Sequence, residues 1–362
     1  MALELRNVTK SVGSEQHIHE TSLRFETGQF NTLLGATNAG KSTLIRLMAG
    51  LDRPSSGDVW MDEEKVTGVS PQKRNIALVH QFFVNYPHMT VFENIASPLK
   101  VQRLAASEIE GRVEEAANVL QLGPMLKRYP QELSGGQQQR TALARAIVKE
   151  SKAIFLDEPL ANLDYKLREE LREQLPDILS GRGTVVVYAT SEPTEALLLG
   201  GTTALLHEGR VVQVGPTAAT YRSPASMTAA KVFSDPPINL APVTKVGQEM
   251  SLNDLRWRLS GRAAELPDGS YTMGIRPHFV TPSEPIRSSS VPFEGEVRIT
   301  ELSGSESIAH FDLGDLTWVS QSPGVHPYRV GEAHDFHLIP EQCLYFDQSG
   351  ALVAMGDHHG PH

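Results

Sequence analysis

The chain has 362 residues, which is enough for two domains that each bury a core of their own. Its net charge of −10 argues against a nucleic-acid partner, because phosphate binding usually shows as a basic patch, and its single cysteine, Cys343, excludes an internal disulfide bond. No apolar run approaches the roughly 18 residues that a membrane-spanning helix needs, so any membrane role is expected to come through a partner protein.

The first predicted elements are short strands separated by turns, and the last of them leads into a phosphate-binding motif. The apolar run 30–34 predicts a buried strand, and residues 35–43 (Gly-Ala-Thr-Asn-Ala-Gly-Lys-Ser-Thr) fit the pattern G-x-x-x-x-G-K-[ST]. A helix is predicted from Ser42 to a glycine stop at Gly50. This strand–loop–helix order is the context that the motif requires, because backbone N–H groups at a helix start attract phosphate.

The loop predicts an ATP site with a magnesium ion. Lys41 is expected to reach the β- and γ-phosphate oxygens, and Ser42 to ligate Mg²⁺. Asn38 stands where many such loops carry glycine, and asparagine tolerates a positive φ, so the turn is expected to survive. The candidate ATP-binding residues of the loop are Gly35, Asn38, Ala39, Gly40, Lys41, Ser42 and Thr43.

Two carboxylates follow a buried strand further along the chain. Residues 73–81 predict a strand ending at Gln81, residues 82–92 an aromatic loop, and residues 107–122 a helix. The strand 153–157 ends in Asp157, and Glu158 comes directly after it. Beside a phosphate loop, Asp157 is expected to hold the Mg²⁺ shell, and Glu158 to orient or deprotonate the attacking water.

A glycine-rich turn just before that strand is a second candidate anion site. Ser134, Gly135, Gly136 and Gln137 begin an alanine-rich helix whose N-terminus could bind an anion.

The remaining elements predict two domains and a tail. A turn at 160–164 leads into a helix, followed by a strand at 184–188 and a hairpin over 204–214, so strands alternate with helices as in a mostly parallel sheet. The segment 233–237 breaks the composition, and short alternating runs after it predict an all-β barrel. We therefore predict domains at 1–235 and 236–352, with a disordered tail at 353–362.

With these motifs in place, the chain resembles the ATP-binding subunits of ABC transporters, most closely those of sugar and polyol importers. The loop 35–43 matches the Walker A motif, 133–140 the family signature, 160–164 the D-loop with Asp164, Gln81 the Q-loop glutamine, and Asp157 with Glu158 the Walker B pair. Gly274-Ile275-Arg276-Pro277 resembles a motif of the accessory barrel, with His278 in place of the expected glutamate. Residues 165–172 and 234–239 look most like one of the two ATPase subunits of glycerol ABC importers.

The resemblance implies a fold, a site and partners. The fold would be an α/β P-loop ABC ATPase domain, with a mixed sheet and a helical subdomain, followed by an OB-like β-barrel. Two ATPase domains would dimerise head to tail, with ATP between the Walker A of one and the signature of the other, near Asp164. Gln81, Ser42 and Asp157 would hold Mg²⁺. The loop 82–92 would contact membrane-spanning permease subunits at the cytoplasmic face of the cell membrane, and a solute-binding protein would act indirectly.

Two positions depart from the family pattern. Val12 occupies the place of an aromatic residue that stacks on adenine, and base stacking is worth about 1–3 kcal/mol. Ser191 replaces the switch histidine that contacts the γ-phosphate; a serine hydroxyl donates a hydrogen bond but has no imidazole to protonate. The site built on this Walker A is therefore expected to be impaired, while the signature offered to a partner ATPase is intact.

Three functional interpretations remain open at this point. The first is an ATP-hydrolysing transport motor, paired with a second ATPase subunit. The second is a regulatory subunit with little catalysis of its own, which Val12 and Ser191 favour. The third is a non-transport ABC ATPase that acts on nucleic acid or ribosomes, against which the acidic charge and the terminal β domain argue.

Overall fold

The described part of a computed structural model of the chain comprises residues 2–82, 84–161, 163–179, 183–283 and 289–356. It divides into two compact units, Met1–Ala218 and Ala219–His362. This division falls earlier than the predicted boundary at residue 235. The predicted tail begins too early, because Leu352–Met355 is a paired strand; residues 357–362 lie outside the described part.

The first unit contains ten strands and most of the helices. Its strands are β1 (Ala2–Val12), β2 (Glu15–Glu26), β3 (Phe30–Leu34), β4 (Ser56–Met61), β5 (Glu64–Lys65), β6 (Ile76–Val79), β7 (Ala153–Asp157), β8 (Val185–Thr190), β9 (Thr202–His207) and β10 (Arg210–Pro216). Its helices are α1 (Lys41–Ala49), α2 (Pro71–Arg74), α3 (Val91–Val101), α4 (Ala106–Val119), α5 (Gly135–Ile147), α6 (Tyr165–Leu179) and α7 (Pro193–Leu199), and α8 (Thr217–Arg222) spans the division.

A six-stranded sheet in the order β10-β9-β3-β8-β7-β6 forms the centre of this unit. Neighbouring strands from β9 to β6 are parallel, and β9 and β10 form the predicted antiparallel hairpin. Strands β3, β7 and β8 are buried along their whole lengths, as expected for strands covered on both faces. Leu34 pairs with Thr190, and Asp157 with Ala189, so the residues that follow these strands meet at one edge of the sheet.

The helical part of the unit differs from the sequence prediction at two points. Residues 73–81 are not one strand, because α2 ends at Arg74 and β6 begins at Ile76. The helix α3 was not predicted, although Thr90 and Glu93 form a capping box at its start, which is a signal readable from sequence. Pro98 inside α3 weakens the helical pattern.

The second unit is built from two antiparallel sheets. They have the orders β13-β12-β11-β14-β20-β21 and β15-β19-β16-β17-β18. The strands are β11 (Asn239–Val246), β12 (Glu249–Leu252), β13 (Leu255–Arg258), β14 (Gly269–Ile275), β15 (Val280–Thr281), β16 (Val291–Leu302), β17 (Glu306–Leu313), β18 (Leu316–Pro323), β19 (Ala333–Leu338), β20 (Leu344–Phe346) and β21 (Leu352–Met355), with helices α9 (Met227–Val232) and α10 (Gly261–Ala264). Ser320 Oγ on β18 donates to the Val280 carbonyl on β15 (2.6 Å), which nearly closes the five-stranded sheet and confirms the predicted barrel.

Arg276 follows β14 of the six-stranded sheet and joins it to helices α8 and α9. Its guanidinium donates to the carbonyl oxygens of Tyr221 and Phe233, both at 2.6 Å, and lies 3.7 Å from the centre of the Tyr221 ring. His278, next to it, has its pKa lowered to about 4 by burial and by the nearby Arg276 charge. The imidazole is therefore neutral at neutral pH, and Arg276 is held by carbonyl oxygens and a ring.

Candidate nucleotide site

The loop between β3 and α1 has the geometry of a phosphate cradle. Asn38 adopts φ 67°, which confirms that it substitutes for glycine in this turn, and Gly40 adopts φ 104° directly before α1. This positive φ is what requires glycine at position 40, because L side chains rarely adopt it. The first N–H groups of α1 therefore point out of a tight turn, as an anion site needs.

Lys41 is almost fully buried, with 4% of its surface exposed. Its ammonium donates to the carbonyl oxygens of Gly35 (2.7 Å) and Ala36 (3.0 Å) and lies 3.2 Å from Glu158 Oε1. The lysine thus contacts both the phosphate loop and the carboxylate expected to activate water. The ion pair holds the lysine and the Glu158 carboxylate side by side.

Ser42 and Asp157 form the part of the site suited to a magnesium ion. Ser42 Oγ donates to Asp157 Oδ1 at 3.1 Å. Burial is the main cause that raises the pKa of Asp157, and the neighbouring Glu158 charge adds to it. A buried carboxylate beside a hydroxyl is a hard oxygen donor set that fits Mg²⁺. In the described residues no three His, Cys, Asp or Glu side chains cluster as a metal site, so Ser42 and Asp157 would hold the ion together with ligands of other kinds.

Glu158 has an unusual backbone conformation for a residue with a side chain. Its φ is 47°, in the left-handed region, and its N–H donates to the Ala189 carbonyl at 3.0 Å. Backbone strain of this kind is concentrated at functional sites. Gln81 Nε2 donates to Glu158 Oε2 at 3.1 Å, so the structure brings together Gln81, Glu158 and Lys41 as the sequence predicts.

These groups line a cavity of about 770 Å³, which is large enough for a nucleotide. Seven of the predicted residues line it: Asn38, Gly40, Lys41, Ser42, Thr43, Gln81 and Glu158. The lining also includes Thr37 and five residues that the motifs do not identify, namely Glu15, Gln16, His17, Glu208 and Gly209. Glu208 and Gly209 form the predicted hairpin turn, but nothing in the sequence places that turn beside the phosphate loop.

A cavity of about 800 Å³ lies at the opposite edge of the sheet, beside the starts of β7 and β8. Lys152 and Thr184 are among its lining residues, and it contains no phosphate loop. We therefore assign the nucleotide to the cavity beside α1.

Comparison with known proteins identifies the family. The family model for ABC transporters matches residues 18–161. The sn-glycerol-3-phosphate import ATP-binding protein UgpC of Cupriavidus pinatubonensis is 36% identical over 97% of this chain and 99% of its own length. UgpC of Brucella abortus is 40% identical over 86% of this chain and 87% of its own. The chain belongs to the ATP-binding subunits of ABC transporters.

A solved structure agrees with this assignment. The dimeric post-hydrolysis state of the ATP-binding cassette MJ0796, bound to ADP and Pi, matches with a TM-score of 0.55 and 29% identity, over 59% of this chain and 98% of that one. The members of this family are enzymes that hydrolyse ATP to drive transport, and permease subunits in the membrane are their partners. In the described residues no helix is long and apolar enough to cross a membrane.

The ABC signature begins helix α5 and leaves its N-terminus open. Ser134 Oγ accepts from the Gln137 N–H (3.4 Å), and Gln137 Oε1 accepts from the Ser134 N–H (3.0 Å), which forms a capping box. Ser134 and Gly135 are exposed, and none of residues 134–137 lines the nucleotide cavity. The exposed N-terminus of α5 is therefore free to contact a phosphate that is not bound in this chain's own cavity.

Several other predicted residues lie outside the cavity lining. Val12 is exposed at the end of β1, Ala39 is buried in the core, and Gly35 accepts from Lys41 through its carbonyl. Asp164 caps α6 by accepting from the Leu167 N–H at 3.0 Å. Ser191 follows β8 as an exposed residue.

Three apolar side chains of the Q-loop segment 82–92 are exposed, whereas Val91 is buried and Phe92 packs partly buried against the core. Phe82 is 83% exposed, and Val84 and Tyr86 are also exposed; Phe83 lies outside the described residues. The buried Asn94 accepts from the Tyr86 N–H (2.7 Å) and donates to the carbonyl oxygens of residues 86, 89 and 90. Arg145 of α5 lies over the Tyr86 ring at 4.9 Å. Phe82 and Tyr86 are therefore not part of the core.

Proposed function

We propose that this chain is the ATP-hydrolysing subunit of an importer for a small carbohydrate or polyol, and that it works beside a second ATPase subunit. The similar proteins are named for sn-glycerol-3-phosphate import, and the sequence resemblance points to glycerol. Both of these substrates contain the same three-carbon polyol. The residues of the nucleotide site bind ATP and do not contact cargo. A glycerol-type substrate therefore rests on similarity alone.

The chemistry proposed for the site follows from the groups around Lys41. Lys41 moves from Glu158 to the β- and γ-phosphates, and the freed Glu158 carboxylate accepts a proton from the water that attacks the γ-phosphate. Ser42, Asp157 and the Gln81 side-chain oxygen would hold Mg²⁺, which neutralises charge on the phosphates when it is bound. Gln81 already contacts Glu158, so its displacement would couple nucleotide binding to the 82–92 segment.

The contrast between Ser134 and Ser191 supports pairing with a different ATPase subunit. The signature around Ser134 is intact and open, whereas Ser191 offers only a hydroxyl at the position of the switch histidine. A partner with that histidine would form one efficient site from its own Walker A and this chain's signature. The dimeric state of the similar cassette MJ0796 supports a two-subunit ATPase.

The exposed apolar side chains of Phe82, Val84 and Tyr86 support the proposed contact with the permease. Exposed apolar patches of this kind usually mark interaction sites. The permease would hold the chain at the cytoplasmic face of the membrane, and a solute-binding protein would deliver the cargo on the other side. A regulatory subunit with a slow site of its own is the second candidate, which Ser191 favours.

Steady-state ATPase assays of the complex reconstituted with its permease and second ATPase test this proposal. Ser134→Arg should remove nearly all transport-coupled ATPase activity, because its bulk and charge block the efficient site. Ser191→Ala should change the rate by less than about twofold, since the site that it touches turns over slowly. Equal losses from the two substitutions would show that Ser191 is a working γ-phosphate switch.

Ser134→Ala provides the matched control for the cap of α5. It removes the capping hydrogen bond, which costs about 1 kcal/mol of stability, without adding bulk or charge. If Ser134→Ala and Ser134→Arg have the same melting temperature but different activities, the loss comes from the blocked site. High activity of this chain as a homodimer would contradict the two-subunit proposal.

A further inference from the structure

One side of the nucleotide cavity is formed by residues that the ABC motifs do not include. Glu15, Gln16 and His17, at the start of β2, line it together with the phosphate loop. Val12, where the family resemblance implies an adenine-stacking aromatic, is 52% exposed and does not line the cavity. An isopropyl group offers no flat π face to a base, so base binding requires another residue.

A β-bulge turns His17 out of the regular β1–β2 ladder. Ser11 pairs with Gln16, and the next pair is Lys10 with Ile18, so His17 has no partner residue on β1. Bulges of this kind bend a strand and change the direction of the extra side chain. The His17 side chain is 39% exposed and lines the cavity.

The backbone of His17 is fixed relative to the phosphate loop. The His19 N–H donates to the Gly209 carbonyl (2.9 Å), and the Gly209 N–H donates to the Ala39 carbonyl (3.0 Å). A Cβ atom on Gly209 would lie 2.4 Å from the His17 carbonyl oxygen, so only glycine allows this close approach. The strand start and the phosphate loop therefore form one rigid arrangement through Gly209.

The other two side chains on this side of the cavity are unsuited to a base. The Gln16 amide accepts from Ser11 Oγ (2.7 Å) and donates to the Ile18 carbonyl (2.6 Å), so it is occupied. Glu15 carries a negative charge and is highly exposed, with its Oε2 3.6 Å from His17 Nε2. Among the residues that line the cavity, His17 is the one with an aromatic ring.

We propose that His17 is the base-binding residue of this ATP site, and that its imidazole stacks on the purine of the nucleotide in place of the aromatic lost at Val12. Histidine rings stack on nucleobases in the same way as other aromatic side chains. The bulge sets the ring direction, and the Gly209 bridge sets its distance from the phosphates. This inference rests on the assignment of the cavity as the ATP site.

The test compares the binding of ATP with that of inorganic tripolyphosphate, which has no base, to the full-length chain. His17→Ala should weaken ATP binding about tenfold, as expected for the loss of one stacked base, and leave tripolyphosphate binding unchanged. His17→Phe should bind ATP at least as tightly as the wild type, because it retains a flat ring. His17→Leu, of similar size but without a ring, should lose affinity as His17→Ala does.

His19→Ala is the matched control, because His19 lies on the same strand and does not line the cavity. It should leave the binding of both ligands unchanged. The proposal is overturned if His17→Leu binds ATP as tightly as the wild type. It is also overturned if His17→Ala weakens tripolyphosphate binding as much as ATP binding, since His17 would then support the phosphate loop.

Failure of the ATP-site assignment and failure of the proposed role of His17 give different results. If the wild-type chain binds ATP and Lys41→Ala does not weaken that binding, the cavity is not the ATP site and the assignment beneath this inference fails. If ATP binding depends on Lys41 but not on His17, only the role of His17 is wrong.

Discussion

Lys41 in the first unit and Arg276 in the second are both buried cations, but they are held differently. Arg276 donates to two backbone carbonyls and lies on a tyrosine ring, and no carboxylate of the described residues forms an ion pair with it. Lys41 also donates to two carbonyls, but its third partner is the carboxylate of Glu158. Backbone carbonyls cannot move away without unfolding, whereas a side-chain carboxylate can exchange its partner. The first arrangement fixes a structure, and the second allows a change of state.

Arg276→Met should produce the largest loss of stability among these variants, because it leaves the Tyr221 and Phe233 carbonyls buried without a donor. We expect the free energy of unfolding of the second unit to fall by about 2–4 kcal/mol. Urea unfolding followed by tryptophan fluorescence measures this, since Trp257 and Trp318 lie in the core of that unit.

Arg298→Met is the matched control, because Arg298 is an exposed arginine paired with Glu296 and Asp312 on the same unit. Exposed ion pairs contribute little, so the control should unfold at nearly the wild-type urea concentration. Indistinguishable midpoints for the two arginine variants would refute a structural role for Arg276.

Lys41→Ala should lower the affinity for ATP much more than it lowers the free energy of unfolding. The lysine's contact with phosphate is worth about 1.5–3 kcal/mol, so ATP affinity should fall roughly 10- to 150-fold in a fluorescent-nucleotide titration. Stability should fall by less than in Arg276→Met: the Gly35 and Ala36 carbonyls also lose a donor, but the Glu158 carboxylate lines an open cavity where water can replace the lysine. Wild-type affinity in this variant would contradict the assignment of the loop, and unfolding as severe as that of Arg276→Met would remove the contrast between the two cations.

Asp157→Asn should change the free energy of unfolding the least among these variants, and the change should be a stabilisation. Burial raises the folded-state pKa of Asp157 above its ordinary value of 3.8, so its negative charge costs stability as the pH rises through that range. At pH 7 the asparagine variant should unfold with a higher free energy than the wild type, and the difference should shrink as the pH falls towards and below 3.8. Hydrolysis should be lost, since the Mg²⁺ ligand is removed.

Asp52→Asn serves as the control of opposite sign. The hydrogen bond from Arg46 (2.8 Å) lowers the pKa of Asp52, so its charge stabilises the folded state at neutral pH. Urea unfolding at pH 7 should show the Asp52 variant less stable than the wild type and the Asp157 variant more stable. A destabilised Asp157→Asn would mean that its bond from Ser42 outweighs the cost of burial.

The phosphate loop and the carboxylate pair were predictable because their sequence order determines their geometry. A buried strand, a glycine turn and a helix must place Lys41 and Ser42 at the sheet edge, and parallel pairing brings Asp157 to the same edge. The hairpin at Glu208 and Gly209 was predicted for the same local reason. Only its position beside the loop required the tertiary structure.

The side of the cavity formed by His17 could not be predicted, because no local pattern encodes a change of strand register. A bulge is visible only once both strands are paired, and the alternating pattern of residues 15–26 reads as a regular strand. The burial of Lys41 was likewise hidden, because it depends on Glu158 from another strand end. Helix α3 was missed although its capping box was present in the sequence, because Pro98 weakens the helical pattern.

The side chain of Asn94 holds the part of the exposed segment that follows Tyr86, while Arg145 and Asn85 hold the part before it. The Asn94 amide bonds four backbone groups of residues 86–90, and none of these bonds involves an outward-facing side chain. A buried side chain thus fixes the backbone conformation beneath this surface, while the exposed side chains determine the chemical character of the surface. Substitutions of these outer side chains therefore leave the backbone hydrogen bonds of residues 86–90 in place, so the chemistry of the surface can change without a loss of folding.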